Sequence, residues 1–228
     1  MVLTISYKDF IMIQTFNNGF YCDTISQNDF LDRNLKLYWR YNYISSNFIG
    51  GSVKDQQMSE DIRTLKNQFR DKKINFLQSC YQRIRADVDE GLQILVKQLA
   101  VTRLPCVAVA VPRSKATFCD DQLYLIKAIS DAITLNGMEN GAYFIQRHSD
   151  TKTTHLMNTK IGDMNKTGDA PYPGITGRTC NLDGDVRGKN VILIDDIYTG
   201  GVNVDEDCAQ FLFDNGARNV VLYALCKT

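Results

Sequence analysis

Apolar residues are patterned most clearly in the last third of the chain. The run from Asn190 to Asp196, NVILIDD, is short, apolar and ends on two carboxylates, which predicts a strand buried on both faces. A Gly-containing turn follows, and then Val204, Cys208, Phe211 and Leu212 recur at helical spacing. This predicts a helix from Val204 to about Asn215, with Asn203 as N-cap and Gly216 as the stop. A second apolar run, Asn219 to Cys226, completes a β-α-β unit.

The alternation extends upstream. Val88, Leu92, Leu95, Val96 and Leu99 predict a helix near 88–99, Cys106 to Val111 a strand, Asp120 to Leu135 a helix, and Ala142 to Arg147 a further strand. The predicted fold class is α/β, a mostly parallel sheet with helices on both faces, and such sheets carry their ligand sites at the carboxyl ends of the strands. Between Ser149 and Lys189 no periodicity persists, and the segment is rich in Thr, Gly, Asp and Asn and contains APYPG. Irregular stretches longer than about 15 residues inside a compact domain are usually lids or disordered segments, so a lid loop is expected at about 147–189. Residues 1–85 are aromatic and mixed, with LKLYWRYNYISSNF at their centre and a candidate helix after Ser59, where Ser-x-x-Ile lacks the full capping box. They are expected to form an added α+β segment, a hood or partner-binding element, on a domain spanning 86–228. No internal repeat is visible.

Composition narrows the classes. In 228 residues there are 26 basic and 26 acidic side chains and 44% hydrophobic residues, enough for a core and with no net charge. Fifteen glycines and four prolines exclude a collagen-like or low-complexity chain. No apolar run reaches the roughly 18 to 20 residues of a membrane helix, and MVLTISYKDF lacks the pattern of a signal peptide, so a soluble cytoplasmic protein is expected. Electroneutrality does not indicate duplex nucleic acid as a partner. The seven cysteines form no C-x-x-C pair, which argues against a zinc ribbon; Cys80, Cys106, Cys208 and Cys226 fall in apolar-periodic stretches and are expected to be reduced, buried and without catalytic role.

The chemistry concentrates in VILIDDIYTGGVN. A strand that delivers Asp195 and Asp196 just before a Thr-Gly-Gly turn and a helix suits a sugar phosphate. Backbone N–H groups of the turn can surround the phosphate, and the carboxylates can accept from vicinal hydroxyls or hold a hydrated Mg²⁺. A Walker B strand also ends in paired acids but needs G-x-x-x-x-G-K-[ST], which does not occur here. A receiver domain has its acids on the first strand, whereas this pair is on the next-to-last one. A structural doublet is the remaining alternative, but adjacent carboxylates are costly to hold together without a cation or hydroxyl partner.

VILIDDIYTGGVN resembles the phosphoribosyl-pyrophosphate signature of type I phosphoribosyltransferases, four apolar residues followed by D-D-x-x-T-T-G-x-T. The resemblance implies ribose contacts for Asp195 and Asp196, the same pair as Mg²⁺ ligands directly or through water, and ligand contacts along Ile197, Tyr198, Thr199, Gly200, Gly201, Val202 and Asn203, with the 5′-phosphate held by the Thr-Gly turn. Gly200 and Asn203 stand where the signature has Thr. Upstream, CVAVAV runs into Val111-Pro112-Arg113-Ser114-Lys115, the place of the family's pyrophosphate loop; the resemblance implies diphosphate contacts for Arg113, Ser114 and Lys115. The string Arg147-His148-Ser149-Asp150-Thr151-Lys152-Thr153-Thr154-His155 is similar to the start of the family's catalytic loop, most closely in the amidophosphoribosyltransferase-like proteins of the bacterial competence group, which implies catalytic roles for Arg147 and His148. That group usually carries an N-terminal zinc module, for which this chain lacks the cysteines.

The expected function is Mg²⁺-dependent transfer of ribose 5-phosphate from phosphoribosyl pyrophosphate to a base or amine, releasing pyrophosphate. The alternative is a phosphoribosyltransferase-like sensor of nucleoside 5′-monophosphates, such as a companion protein of a bacterial anti-phage (retron-type) system. Pairing with a second copy or a different protein through residues 1–85 stays open in both.

Overall fold

Five adjacent parallel strands form the centre of the molecule, in the order Leu35–Asn42, Asn219–Lys227, Asn190–Tyr198, Cys106–Ala110 and Glu139–Gly141, and two antiparallel strands, Phe20–Ile25 and Gln14–Phe16, extend one edge. The computed structural model describes residues 14–16, 19–46, 48, 50–99, 106–151 and 173–228. In chain order the elements are β1 (Gln14–Phe16), β2 (Phe20–Ile25), β3 (Leu35–Asn42), α1 (Val53–Lys66), α2 (Ile74–Leu99), β4 (Cys106–Ala110), a short 3₁₀ turn at Asp120–Gln122, α3 (Tyr124–Leu135), β5 (Glu139–Gly141), β6 (Ile145–Arg147), β7 (Cys180–Leu182), β8 (Asn190–Tyr198), α4 (Val204–Asp214) and β9 (Asn219–Lys227). The expected α/β class, with a mostly parallel sheet between helical layers, is what the chain adopts. Among the described residues no helix is long and apolar enough to cross a membrane.

The continuous apolar runs of β4, β8 and β9 follow from burial on both faces, because successive side chains point to opposite sides of a sheet. Ala108, Ala110, Ile192, Ile194, Tyr223 and Leu225 meet Ile62, Leu65, Ile84, Val88, Leu92, Ala132 and Ile133 of α1, α2 and α3. Val107, Val109, Val191, Leu193, Leu222 and Ala224 face the other way, onto Cys208, Ala209 and Leu212 of α4. Each fully buried Leu or Ile contributes roughly 1.5–3 kcal/mol, so these two layers fix the sheet and with it the positions of its strand ends.

Several predicted elements differ from those observed. The helix expected near Val88 begins at Ile74, because Leu77, Cys80 and Ile84 continue the buried stripe toward the N-terminus. Residues 85 and 86, expected to mark a domain boundary, therefore lie inside α2, and β3 of the N-terminal segment pairs with β9. The first helix starts at Val53 rather than after Ser59: Ser52 and Asp55 form the capping box, each side chain accepting from the other's backbone N–H at 3.1 Å. Ser59 instead sits mid-helix and buried, donating to the Asp55 carbonyl at 2.7 Å and accepting from the Ile44 N–H at 2.8 Å, which ties α1 to the chain leaving β3.

The strand expected at Ala142–Arg147 is shorter and lies outside the main sheet, whose strand falls earlier in the chain. Glu139–Gly141 joins β4, whereas Ile145–Arg147 pairs with β7 in a separate two-stranded sheet. Asn140-Gly141 is the reason: the Asn140 side-chain oxygen accepts from the Ala142 N–H at 3.1 Å, and a side chain on Gly141 would press on Val107 and the Ala108 carbonyl, so the chain turns there. Among the cysteines, Cys80, Cys208 and Cys226 are buried as expected, Cys106 is half-buried, and Cys180 is buried in its place. All seven are unpaired.

Candidate functional site

The two candidate strand ends are direct neighbours. The Val111 N–H donates to the Ile194 carbonyl at 2.9 Å, so the loop beginning at Val111 leaves β4 beside the point where β8 presents Asp195 and Asp196. The acidic pair lies within β8, which continues to Tyr198 before the Thr-Gly-Gly turn. Gly201 (φ 78°) and Asn203 (φ 59°) both take the left-handed conformation as the chain turns into α4. Asn203 accordingly does not cap α4 with its side chain; its Nδ2 donates back to the Gly201 carbonyl at 3.2 Å.

This conformation accounts for one departure from the phosphoribosyltransferase signature. Asn tolerates the left-handed region and β-branched Thr does not, so Asn203 suits the backbone found here. Gly200 is different. Its φ is not positive, and a Cβ there would meet nothing within 4 Å, so the turn has room for the missing Thr.

Asp196 is buried and paired with a residue that the sequence did not single out: Lys66, the last residue of α1, places Nζ 2.7 Å from Asp196 Oδ2. The Arg113 guanidinium is also close enough for Asp196 to offset part of the effect of burial, which lowers the Arg113 pKa. Arg113 donates to the Gln122 carbonyl at 2.8 Å and lies 4.1 Å from the centre of the Phe118 ring.

Asp195 has an acidic neighbour. Burial, and secondly the charge of Asp196, push its pKa up to about 7. Asp205 is 3% exposed and its pKa is driven well above the ordinary value, first by burial and then by the charge of Asp195. Burial and neighbouring acids thus favour the neutral form of both carboxyls. Glu206, 2% exposed, is also raised by burial and accepts from the Tyr198 hydroxyl at 3.1 Å. The first turn of α4 thus carries three acids, Asp205, Glu206 and Asp207, of which two are inside the protein.

The remaining expected residues brace the site. The Lys115 ammonium donates to the Thr151 carbonyl at 3.0 Å and lies 3.8 Å from Asp150. The Ser114 carbonyl accepts from the Thr151 N–H at 2.8 Å, and the Asp150 carboxylate from the Ala116 N–H at 2.9 Å, which fastens the Arg113–Lys115 loop to the chain after β6. Arg147 is buried; its Nε donates to the Arg113 carbonyl at 2.7 Å and its Nη1 to the Gly174 carbonyl at 2.9 Å. Burial lowers its pKa. In this arrangement Arg147 shapes the loop that carries Arg113. His148 is exposed, with Nδ1 3.0 Å from Ser149 Oγ. Tyr198 is buried against Glu206, Ile197 packs on the α1–α3 layer, and the Val202 N–H donates to the Thr199 carbonyl at 3.2 Å. Lys152, Thr153, Thr154 and His155, with the rest of 152–172 in the expected lid, lie outside the described residues.

As a seat for Mg²⁺ held by the protein alone, this donor set does not fit as it stands: Asp196 is engaged by an ammonium, and burial with the Asp196 charge raises the Asp195 pKa to about 7. Among the described residues no group of three or more His, Cys, Asp or Glu side chains is arranged for a metal ion. Set against models of known protein families the sequence matches none, and no curated protein matches it. The geometry of this sheet edge is therefore what bears on function.

Lys66 and Asp205 were the residues missed by sequence reasoning. Lys66 carries no local signal. The run Asp205-Glu206-Asp207 at the start of a predicted helix did offer one, since acids there favour the helix dipole but would oppose a phosphate at the same N-terminus.

Proposed function

We propose that the chain binds a phosphoribosyl ligand at the carboxyl ends of β4 and β8 and transfers ribose 5-phosphate from phosphoribosyl pyrophosphate to a base or amine. The observation that carries this reading is the Val111–Ile194 hydrogen bond, which sets the Arg113–Lys115 loop beside Asp195–Asp196 at the edge where parallel sheets hold ligands. In this reading Asp196 accepts from the ribose hydroxyls, the amides of the Thr199–Asn203 turn hold the 5′-phosphate, and Arg113 faces the diphosphate. The reaction passes through a cationic sugar, so fixed charges and exclusion of water would lower its barrier. Burial raises the pKa of Asp205 and of Glu206 and so favours their neutral forms, which is compatible with a phosphate on that turn.

A second reading, a sensor that binds a nucleoside 5′-monophosphate without turnover, is favoured by Gly200 and Asn203, which stand where the signature has Thr. Pyrophosphate release from phosphoribosyl pyrophosphate across a panel of bases, ammonia and glutamine separates the two. Release supports transfer; binding with no release supports the sensor. In either case the ligand should raise the melting temperature, and the Asp195→Asn, Asp196→Asn double variant should abolish that shift with the fold intact. An undiminished shift in the double variant removes the ribose assignment.

A further inference from the structure

We propose that Lys66 is a built-in cation of this site, supplied by the N-terminal segment, which receives the anionic group on the ribose anomeric carbon and makes ligand binding independent of a protein-held divalent metal. The inference rests on the phosphoribosyl reading of the site and goes beyond it, because no residue before Val111 enters that reading.

Three observations place Lys66 as part of a built arrangement. Its ammonium is 2.7 Å from Asp196, with side-chain exposures of 21% and 12%, so the pair is largely shielded from water while keeping one open side. A shielded ion pair strongly constrains both partners, since removing either leaves a charge uncompensated. Second, the backbone just beyond Lys66 is anchored. Asn67 caps α1 in the left-handed conformation (φ 39°), is 1% exposed, and donates from Nδ2 to the Asp121 carboxylate at 3.0 Å, while its side-chain oxygen accepts from the Lys72 N–H at 3.2 Å. Third, the same 3₁₀ turn that holds Asn67 holds Arg113, through the Gln122 carbonyl. The chain at Lys66 and the Arg113 side chain, on different elements, are thus both tied to Asp120–Gln122, and both cations act on Asp196.

An ammonium and a carboxylate in contact match a ligand that offers both an anion and a diol on adjacent atoms. A ribose with a phosphate or diphosphate on the anomeric carbon is such a ligand: its hydroxyls replace Lys66 at Asp196, and its anion takes the released ammonium. A 5′-monophosphate with a neutral base at that carbon supplies only the diol, so for it Lys66 is a competitor to be displaced. The ammonium in this way does the charge neutralisation for which two carboxylates would otherwise require a cation.

Isothermal titration of phosphoribosyl pyrophosphate and of a nucleoside 5′-monophosphate, each with EDTA and with Mg²⁺, tests this on the full chain, alongside Lys66→Met and Lys66→Arg. Phosphoribosyl pyrophosphate is expected to bind the unaltered protein in EDTA, to lose about tenfold or more in Lys66→Met, and to be retained in Lys66→Arg, as for one charge-assisted hydrogen bond. Monophosphate binding is expected to hold or tighten in Lys66→Met. Binding of phosphoribosyl pyrophosphate by the unaltered protein only with Mg²⁺ overturns the proposal, and that result needs no variant to fold. Equal losses for both ligands in Lys66→Met, or no loss for either, overturn it too. Failure of both ligands to bind the unaltered protein in either medium would overturn the phosphoribosyl reading itself, a result distinct from the Mg²⁺-only outcome.

Discussion

The Val111 N–H and the Ile194 carbonyl, 2.9 Å apart, join two segments that are remote in sequence into one ligand edge. Through that bond the Arg113 loop and the Asp195–Asp196 pair take fixed positions beside each other.

Arg113 and Lys115 flank Ser114 in the loop assigned to the diphosphate, but their surroundings differ. Arg113 contacts Phe118 and senses Asp196, whereas the Lys115 ammonium is directed to Thr151 and Asp150. Arg113→Ala should weaken phosphoribosyl pyrophosphate by roughly 1.5–3 kcal/mol and a 5′-monophosphate much less. Lys115→Ala should also weaken the first ligand, by disturbing the brace to Thr151. Titrating both ligands against both variants gives the comparison; equal weakening of the two ligands would indicate only a diffuse charge effect.

The turn from Thr199 to Asn203 offers a gain as well as a loss. Gly200→Thr restores a hydroxyl donor into open space and should tighten a 5′-monophosphate by about 0.5–1.5 kcal/mol. Asn203→Thr places a β-branched residue at φ 59° and should destabilise the protein by roughly 1–2 kcal/mol. Affinity and thermal unfolding report these separately. Weaker monophosphate binding in Gly200→Thr would argue that the phosphate does not sit on this turn.

Asp195 and Asp205 each bind a proton more tightly folded than unfolded, since burial first, and then the charge of Asp196 on Asp195 and of Asp195 on Asp205, raise both above the ordinary 3.8. The contribution of Asp195 to stability is therefore complete below pH about 4 and is lost as pH rises through about 7; that of Asp205 is lost in the same direction. Asp205→Asn keeps a donor and cannot ionise, so relative to the unaltered protein it should gain stability as pH rises from 4 to 8. Parallel melting curves for the two proteins across that range would remove the raised pKa of Asp205.

Gly91 lies in α2 where the helix crosses β9, and a Cβ there would collide with the Tyr223 hydroxyl, which is fully buried and has no hydrogen-bond partner among the described residues. Helix propensity alone would make Gly91→Ala stabilising by about 1 kcal/mol. Overpacking against a fixed ring costs typically 1–3 kcal/mol, so the expected result is a net loss, read as a lower melting temperature. A stabilised Gly91→Ala would show that α2 can move off β9 without penalty.

By itself the sequence determined the elements whose signal is local. The β8-turn-α4-β9 unit, with Asp195–Asp196 at its strand end and Gly201 in its turn, follows from a both-faces-buried strand, a 3.6-residue period and glycine's conformational freedom, all contained within short windows. The α/β class follows from repeating that pattern. Tertiary structure alone decided the partners: Lys66 against Asp196, the charge of Asp195 acting on Asp205, and Arg147 buried under the Arg113 loop. These contacts join residues on different elements and have no period to read, because which charge meets which depends on how helices and strands pack. The place of the strand expected at Ala142–Arg147 lies between the two, since Asn140-Gly141 is a local turn signal but only the close approach of β4 required the chain to leave the sheet there.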